Sequence, residues 1–292
     1  MIISNIIGGL GNQMFQYAMA RALSLERNES LYLDIAGFDG YGLHHGFQLS
    51  QVFVCPVQIA TKTEIQNILG WQTLSGFRRI LAHSSLKLFR RNSLVFEPHY
   101  HYWHEINHVS KACYLSGYWQ SERYFQAHAA IIRADFTFKS PLINNNAVLA
   151  EQISQVNAVS LHVRRGDYIN NPKTTGTHGV CSLDYYRAAI ELIVEQVQQP
   201  YIYIFSDDIA WVKDNLKIDL PHQFVNHNGG LESYNDMHLM SLCQHHIIAN
   251  SSFSWWGAWL NVSPNKIVIA PKKWFANKND IKDLFPVDWI AL

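Results

Sequence analysis

Apolar residues fill positions 2, 3, 6 and 7, glycines and polar residues dominate positions 8–12, and residues 13–27 read as a helix. A second short apolar run, Leu31-Tyr32-Leu33, ends in Asp34. This order predicts a strand, a glycine turn, a helix and a strand, a β-α-β opening. Residues 35–150 are less regular. Asn144-Asn145-Asn146 after Pro141 reads as a polar break, which places a domain junction nearby and predicts domains over residues 1–148 and 149–292. The second half alternates more cleanly. Strands are predicted over residues 158–163, 201–205, 246–249 and 266–270, the last stopped by Pro271. Helices are predicted over 184–198, with Ser182 as N-cap, over 232–245 and over 254–262. Strands alternating with helices imply a parallel sheet covered on both faces. The fold class is therefore α/β, two Rossmann-like domains with a cleft, with ligands expected outside the carboxyl ends of the strands.

Composition narrows the function. At 292 residues the chain exceeds what one core comfortably holds, and 48% hydrophobic with 16% charged residues is a globular balance. Lys+Arg and Asp+Glu stand at 23 each, so the basic excess of a nucleic-acid binder is missing. No apolar run approaches the roughly 20 residues that span a bilayer. The opening residues, Met1 to Ile7, lack a basic leader and read as a buried strand rather than a secretory signal. Cys55, Cys113, Cys181 and Cys243 are far apart without a C-x-x-C pair, which predicts reduced thiols in a cytoplasmic protein. Nine Trp, fourteen Tyr and fifteen Phe supply a large aromatic core, and some rings are candidates to stack on sugar C–H faces.

Four polar clusters follow predicted strands. In His162-Val163-Arg164-Arg165-Gly166-Asp167-Tyr168, His162 and Arg164 share one face at a strand end. A fixed guanidinium there grips a diphosphate as it gains charge on leaving, with Asp167 available to hold one arginine; the bland reading is a surface salt bridge. Gly8-Gly9-Leu10-Gly11-Asn12-Gln13 offers Gly9 and Gly11 as a close backbone approach to an anion, or simply as a tight turn. Asn250-Ser251-Ser252-Phe253-Ser254 presents hydroxyls and N–H groups ahead of a helix, a phosphate or ribose site, with Asp236 upstream as an acceptor for ribose or base donors. Trp255, Trp256 and Trp259 are assigned to packing. Asp207-Asp208 either contacts the ligand or caps the helix at Ile209.

Two other motifs point elsewhere. His104-Glu105-Ile106-Asn107-His108 fits the H-E-x-x-H zinc-peptidase pattern, which requires a helix, whereas the preceding Pro98, Tyr100, Tyr102 and Trp103 favour a strand or loop. The Gly9 loop with Asp34 half-matches a dinucleotide fingerprint, but Met14 stands where the third glycine belongs. No D-x-D carboxylate pair, the usual metal clamp of metal-dependent sugar transferases, occurs.

Taken in order, Gly8-Gly9-Leu10-Gly11-Asn12-Gln13-Met14-Phe15-Gln16-Tyr17-Ala18, Gly117-Tyr118-Trp119-Gln120-Ser121-Glu122-Arg123-Tyr124-Phe125, the His162 to Tyr168 block, Ser206-Asp207-Asp208 and Ala249-Asn250-Ser251-Ser252-Phe253-Ser254-Trp255-Trp256-Gly257-Ala258-Trp259 resemble the bacterial α-1,2-fucosyltransferases of glycosyltransferase family 11. The resemblance spans nearly the whole chain. It implies a GT-B architecture with a GDP-fucose-binding second domain and an acceptor-side first domain. It further implies Arg164 or Arg165 on the diphosphate, Asp236 toward guanosine, and Asn250, Ser251, Ser252, Phe253 and Asp207 around the donor. Gly9, Gly11 and Asn12 then move toward the fucose, while His44, His45, Tyr118, Trp119, Gln120 and Glu122 shape the acceptor side. The implied reaction moves L-fucose, with inversion and no metal or other cofactor, onto the 2-hydroxyl of a galactose in an oligosaccharide or lipid-linked glycan. The implied setting is the cytoplasm, with peripheral membrane association. His162 is a candidate base, since imidazole titrates near neutral pH, or equally a hydrogen-bond partner of the diphosphate. A noncatalytic GDP-sugar-binding module is the alternative from another class.

Overall fold

The computed structural model describes residues 1–40, 45–166, 179–276 and 281–292. The chain divides into two units, Met1–Lys139 with Ile281–Leu284, and Ser140–Asp280 with Phe285–Leu292.

In the first unit, β1 (Ile2–Asn5), α1 (Leu10–Arg27) and β2 (Leu31–Asp34) form the expected opening. The helix begins earlier than the pattern suggested. Gly9 is its N-cap, and the N–H groups of Asn12 and Gln13 already donate to the Gly9 carbonyl at 2.9 and 3.1 Å, so Leu10, Gly11 and Asn12 of the expected turn belong to the helix. The short helices α2 (Leu49–Val52), α3 (Lys62–Leu69) and α4 (Ser75–Leu81) follow, then β3 (Leu94–Phe96), β4 (Cys113–Ser116) and α5 (Ala129–Asp135). Thr61 and Glu64 close a capping box on α3, each side chain serving the other's backbone N–H. The four strands are all parallel in the order β2-β1-β4-β3. Being interior, β1 buries Ile2 and Ile3 completely, which explains its unbroken apolar run. Ile3 and Tyr114 pack on Ile65, Ile68 and Leu69 of α3.

The second unit contains α6 (Asn144–Ser154), β5 (Asn157–Val163), α7 (Leu183–Gln196), β6 (Pro200–Ser206), α8 (Ile209–Asn215), β7 (His222–Val225), α9 (Tyr234–Leu242), β8 (His245–Ile247), α10 (Ser252–Leu260), β9 (Val268–Ala270) and β10 (Ile290–Ala291). All six strands are parallel, ordered β7-β6-β5-β8-β9-β10. Period-two alternation sends Val159, Leu161 and Val163 toward Tyr186, Ala189 and Ile193 of α7. Ala158, on the opposite face, joins Leu149 and Ile153 of α6 and Leu239 and Met240 of α9. Ser182 caps α7 as expected, accepting the Tyr185 N–H at 3.2 Å.

Two further expectations are corrected, and one strand was not expected. The asparagine run is not a break: it opens α6, and Asn146 bonds to His227 and Asn228. The helix expected over 232–245 is a 3₁₀ turn, Gly230–Ser233, followed by α9, which stops at Leu242. Strand β7 has no counterpart in the sequence reading, because its half-exposed residues alternate weakly.

Each sheet reverses its direction of growth at one place. In the second unit the chain runs outward from β5 to β7 and returns on the other side at β8. In the first it runs from β1 to β2, with β4 on the far side of β1. The carboxyl ends flanking such a reversal open a crevice for ligands. Those ends are followed by Arg164 and Asn250 in one unit and by Gly8 and Gly117 in the other.

Candidate active site

At the end of β5, Arg164 and Arg165 are fixed by two carboxylates from the end of β6. Asp207 Oδ2 lies 3.2 Å from Arg164 Nε, and its Oδ1 accepts the Arg165 backbone N–H at 2.9 Å. Asp208 Oδ2 pairs with Arg165 Nε at 3.6 Å, while its Oδ1 caps α8 by accepting the Trp211 N–H at 3.2 Å. The Arg165 guanidinium carbon sits over the Trp211 ring, 3.4 Å from the centroid, a cation–π contact that immobilises it further. Capping, one of the two readings of the Asp pair, is thus observed at Asp208, and both carboxylates also hold arginines. Asp167 and Tyr168 lie outside the described residues, as does His44. Arg164 is the more accessible of the two arginines, 27% exposed against 16%.

His162, on β5, is buried with its ring 6.0 Å from that of Phe253. Burial, reinforced by the Arg164 charge, pushes its pKa down to about 3, so it is neutral at physiological pH. Such an imidazole has little affinity for a proton, which weakens it as a base but leaves it able to hydrogen-bond.

Across the reversal, the residues after β8 form a rigid turn. Asn250 is buried: its Nδ2 donates to the Gly179 and Trp274 carbonyls at 3.3 and 3.2 Å, and its Oδ1 lies 3.4 Å from Cys181 Sγ. Ser251 caps α10, accepting the Phe253 N–H at 3.3 Å. Ser252 and Phe253, half-buried, occupy the first turn of α10, where helix N–H groups and the positive dipole end favour an anion. Trp255, Trp256 and Trp259 are core residues. Asp236, in the first turn of α9, accepts Asn228 Nδ2 at 2.7 Å, and burial raises its pKa to about 7. Asn228 and Asn146 in turn bond to each other. Nothing in the sequence distinguishes these two asparagines or Trp211; only the tertiary fold brings them here.

The first unit gathers a second polar cluster at its own reversal. Gln120 Nε2, in the loop after β4, donates to Asn12 Oδ1 at 2.8 Å. Gln13 shapes the loop, donating to the Gly8 and Gly46 carbonyls at 2.9 and 2.8 Å and accepting the Gln48 N–H at 2.9 Å. Gly9 and Gly11 serve the start of α1. Glu97, just past β3, clamps the Gly117 loop by accepting the Tyr118 and Trp119 N–H groups at 2.6 and 2.9 Å. A side chain at Gly117 would collide with Glu97 and with the Trp119 ring. Trp119 takes a left-handed φ of 56°, a strain of about 1–3 kcal/mol, and is fully buried, edge-on to Tyr124 at 5.6 Å. Gln120 is nearly buried; Tyr118 and Glu122 are half-buried. Burial raises the Glu97 pKa to about 7 even against its two N–H donors. Sequence reasoning missed Glu97, whose signal was indirect: the glycine it excludes from substitution.

The model of glycosyl transferase family 11 matches residues 98–292. The chain belongs to this family. It is 38% identical to an alpha-1,2-colitosyltransferase of Escherichia coli over 100% of this chain and 98% of that one. It is 36% identical to the O-antigen biosynthesis glycosyltransferase WbnK of Escherichia coli over 99% of both. Its fold is that of the crystal structure of NodZ alpha-1,6-fucosyltransferase soaked with GDP-fucose, with a TM-score of 0.57 at 16% identity over 92% of this chain and 94% of that one. The GT-B-like plan of two parallel α/β sheets and the family resemblance are therefore both established, and the chain is a glycosyltransferase.

Two competing motifs fall away in this family 11 chain. His104–His108 is a 3₁₀ helix, in which residues four apart are turned about 120° from each other, so the two histidines of H-E-x-x-H do not share a face. Among the described residues no group of three or more His, Cys, Asp or Glu could hold a metal ion. The acid of the half-matched dinucleotide fingerprint, Asp34, is buried and already bonded to Tyr114 Oη at 2.6 Å and Arg78 Nη1 at 3.2 Å, so it is not open to a ribose. The four cysteines are free thiols. Among the described residues no helix is long and apolar enough to cross a membrane.

Proposed function

We propose that this chain is a galactoside α-1,2-fucosyltransferase, moving L-fucose from GDP-β-L-fucose to the 2-hydroxyl of a galactose in a surface glycan such as an O-antigen. One observation carries the reading: a guanidinium, Arg164, held by Asp207 at the strand reversal of the second unit, with the N-terminus of α10 following β8 at the same reversal. In this reading Arg164 and Arg165 take the diphosphate, Ser251, Ser252 and Phe253 meet the nucleotide, and Asp236 accepts from the guanine. As the C1–O bond breaks, GDP leaves with the electron pair. Fixed guanidinium groups stabilise that charge without reorganisation, the task a metal ion performs elsewhere. The acceptor oxygen bonds to C1 from the opposite face and its proton passes to solvent, giving α-linked fucose. His162 acts as a neutral hydrogen-bonding group rather than as the base. Asn12, Tyr118, Gln120 and Glu122 serve the acceptor, with Trp119 as their buried support. The enzyme works in the cytoplasm, associating peripherally with the membrane that carries a lipid-linked acceptor.

The relative that transfers colitose supports a second donor. Colitose is L-fucose without the 3-hydroxyl, so the same arginine and turn chemistry serves it, and donor choice rests on contacts to that one hydroxyl. The test offers GDP-fucose and GDP-colitose separately, with lactose, with and without EDTA, and analyses products by NMR. A 2-linked α-fucosyl galactose formed equally with EDTA is the expected result. Transfer from GDP-colitose alone would replace the donor. GDP release from neither donor, with any galactoside, would leave a noncatalytic GDP-sugar-binding module.

A further inference from the structure

The first unit contains a cavity of about 570 Å³, within the range of ligand pockets, that the donor and acceptor assignments do not use. We propose that it is a second saccharide subsite, binding a neutral sugar of the acceptor glycan beyond the galactose that is modified; the proposal rests on the transferase reading above. Its lining includes His99, His101, Tyr102, Trp103, Arg123 and Asp283.

Three features argue for a sugar. The lining mixes ring faces with polar tips, the combination that receives C–H faces and hydroxyls together. The His99 and His101 rings are stacked face to face, with centroids 3.4 Å apart and planes 11° from parallel, so the pair is a block with flat outer faces. The charges around the cavity balance, Arg123 and Lys282 against Glu105 and Asp283, which suits a neutral polyhydroxyl ligand better than an anionic one.

The walls are fixed before any ligand arrives. Asp283 accepts the Tyr102 N–H at 3.1 Å and pairs with Arg123 at 2.8 Å, while the Arg123 guanidinium sits 4.6 Å above the centre of the Tyr102 ring. The cavity lining is also tied by packing to the acceptor cluster. Tyr124 Oη accepts the Trp103 N–H at 3.0 Å, its ring packs on Tyr102 at 4.9 Å, and it also packs edge-on against Trp119 at 5.6 Å. Trp119 precedes Gln120, which bonds to Asn12. A chain of packed side chains thus connects the cavity lining to the residues assigned to the acceptor galactose.

The experiment compares lactose with a neutral galactose-terminated tetrasaccharide as acceptors for wild type, Trp103→Ala and Trp103→Leu. Leucine keeps apolar bulk for folding but offers no ring face, and thermal melts report the integrity of each variant. Losing one stacking face is expected to raise KM for the tetrasaccharide about tenfold in both variants, with lactose kinetics unchanged. Equal effects on both acceptors, or on neither, in a folded variant would overturn the subsite. If wild type turns over no galactoside, saturation-transfer NMR with the free tetrasaccharide separates the two ideas. Contacts that vanish in Trp103→Leu then support the subsite while the transferase reading fails, and no contacts with wild type overturn the subsite as well.

Discussion

Replacing Asp236 with asparagine tests the guanine assignment through pH. Its carboxyl is half-buried beside Asn228, with a pKa raised to about 7 by burial. Guanine presents N–H donors, so it binds the ionised carboxylate and not the protonated acid. With that pKa, roughly a tenth of the group is ionised at pH 6 and nine tenths at pH 8, which weakens GDP binding about tenfold between pH 8 and pH 6. The terminal phosphate of GDP itself titrates near pH 6 and adds its own slope, so D236N supplies the baseline. Stability moves the other way. The native carboxyl binds its proton more tightly than an unfolded Asp of pKa about 3.9, so Asp236 costs stability as pH rises from about 4 to 7, and D236N is expected to melt no lower than wild type at pH 8. Titration calorimetry of GDP at several pH values, for both proteins, is the assay. Parallel slopes for wild type and D236N from pH 6 to 8 would refute the reasoning, and so would GDP affinity equal to wild type in D236N at pH 8.

Three more outcomes are expected. Arg164→Ala should lower kcat by about 100- to 1,000-fold, as for loss of one fixed donor to a developing anion; near-normal turnover would end its leaving-group role. Glu97→Gln puts an amide NH₂ against one of the two clamped N–H groups, so KM for the acceptor should rise while GDP affinity, measured by calorimetry, stays constant. Gly257→Ala places a methyl 3.0 Å from Met240 Cβ where α10 packs on α9, an overpacking cost of about 1–3 kcal/mol that should lower Tm by several degrees and be partly relieved by Met240→Ala.

The elements that bury a regular pattern were legible in the sequence. The apolar run of β1, the alternation in β5 and the Ser182 cap of α7 all follow from local chemistry, and the family was carried by motifs that sit at strand ends. What escaped was set by tertiary partners. The Asn144 run looks like a break because asparagine favours turns, yet Asn146 gains His227 and Asn228 as partners once the chain folds. The ring of Trp211 beneath Arg165 lies 46 positions away along the chain, and no local rule links them. Glu97 follows a three-residue strand with no motif around it, so its clamp on Tyr118 and Trp119 exists only in three dimensions.

The small segment Ile281–Leu284 makes the first unit dependent on the order of synthesis. Its Asp283 supplies the acceptor for the Tyr102 N–H and the partner of Arg123, yet it is translated after five of the six strands of the other sheet. At about 5–20 residues per second, the ribosome needs roughly seven to thirty seconds to travel from residue 139 to residue 283. For that interval the nascent first unit lacks Asp283 and with it part of the lining of the proposed subsite. A fragment ending at Lys139 would reproduce that incomplete state permanently, and adding a peptide that carries Asp283 in trans would be the way to finish it.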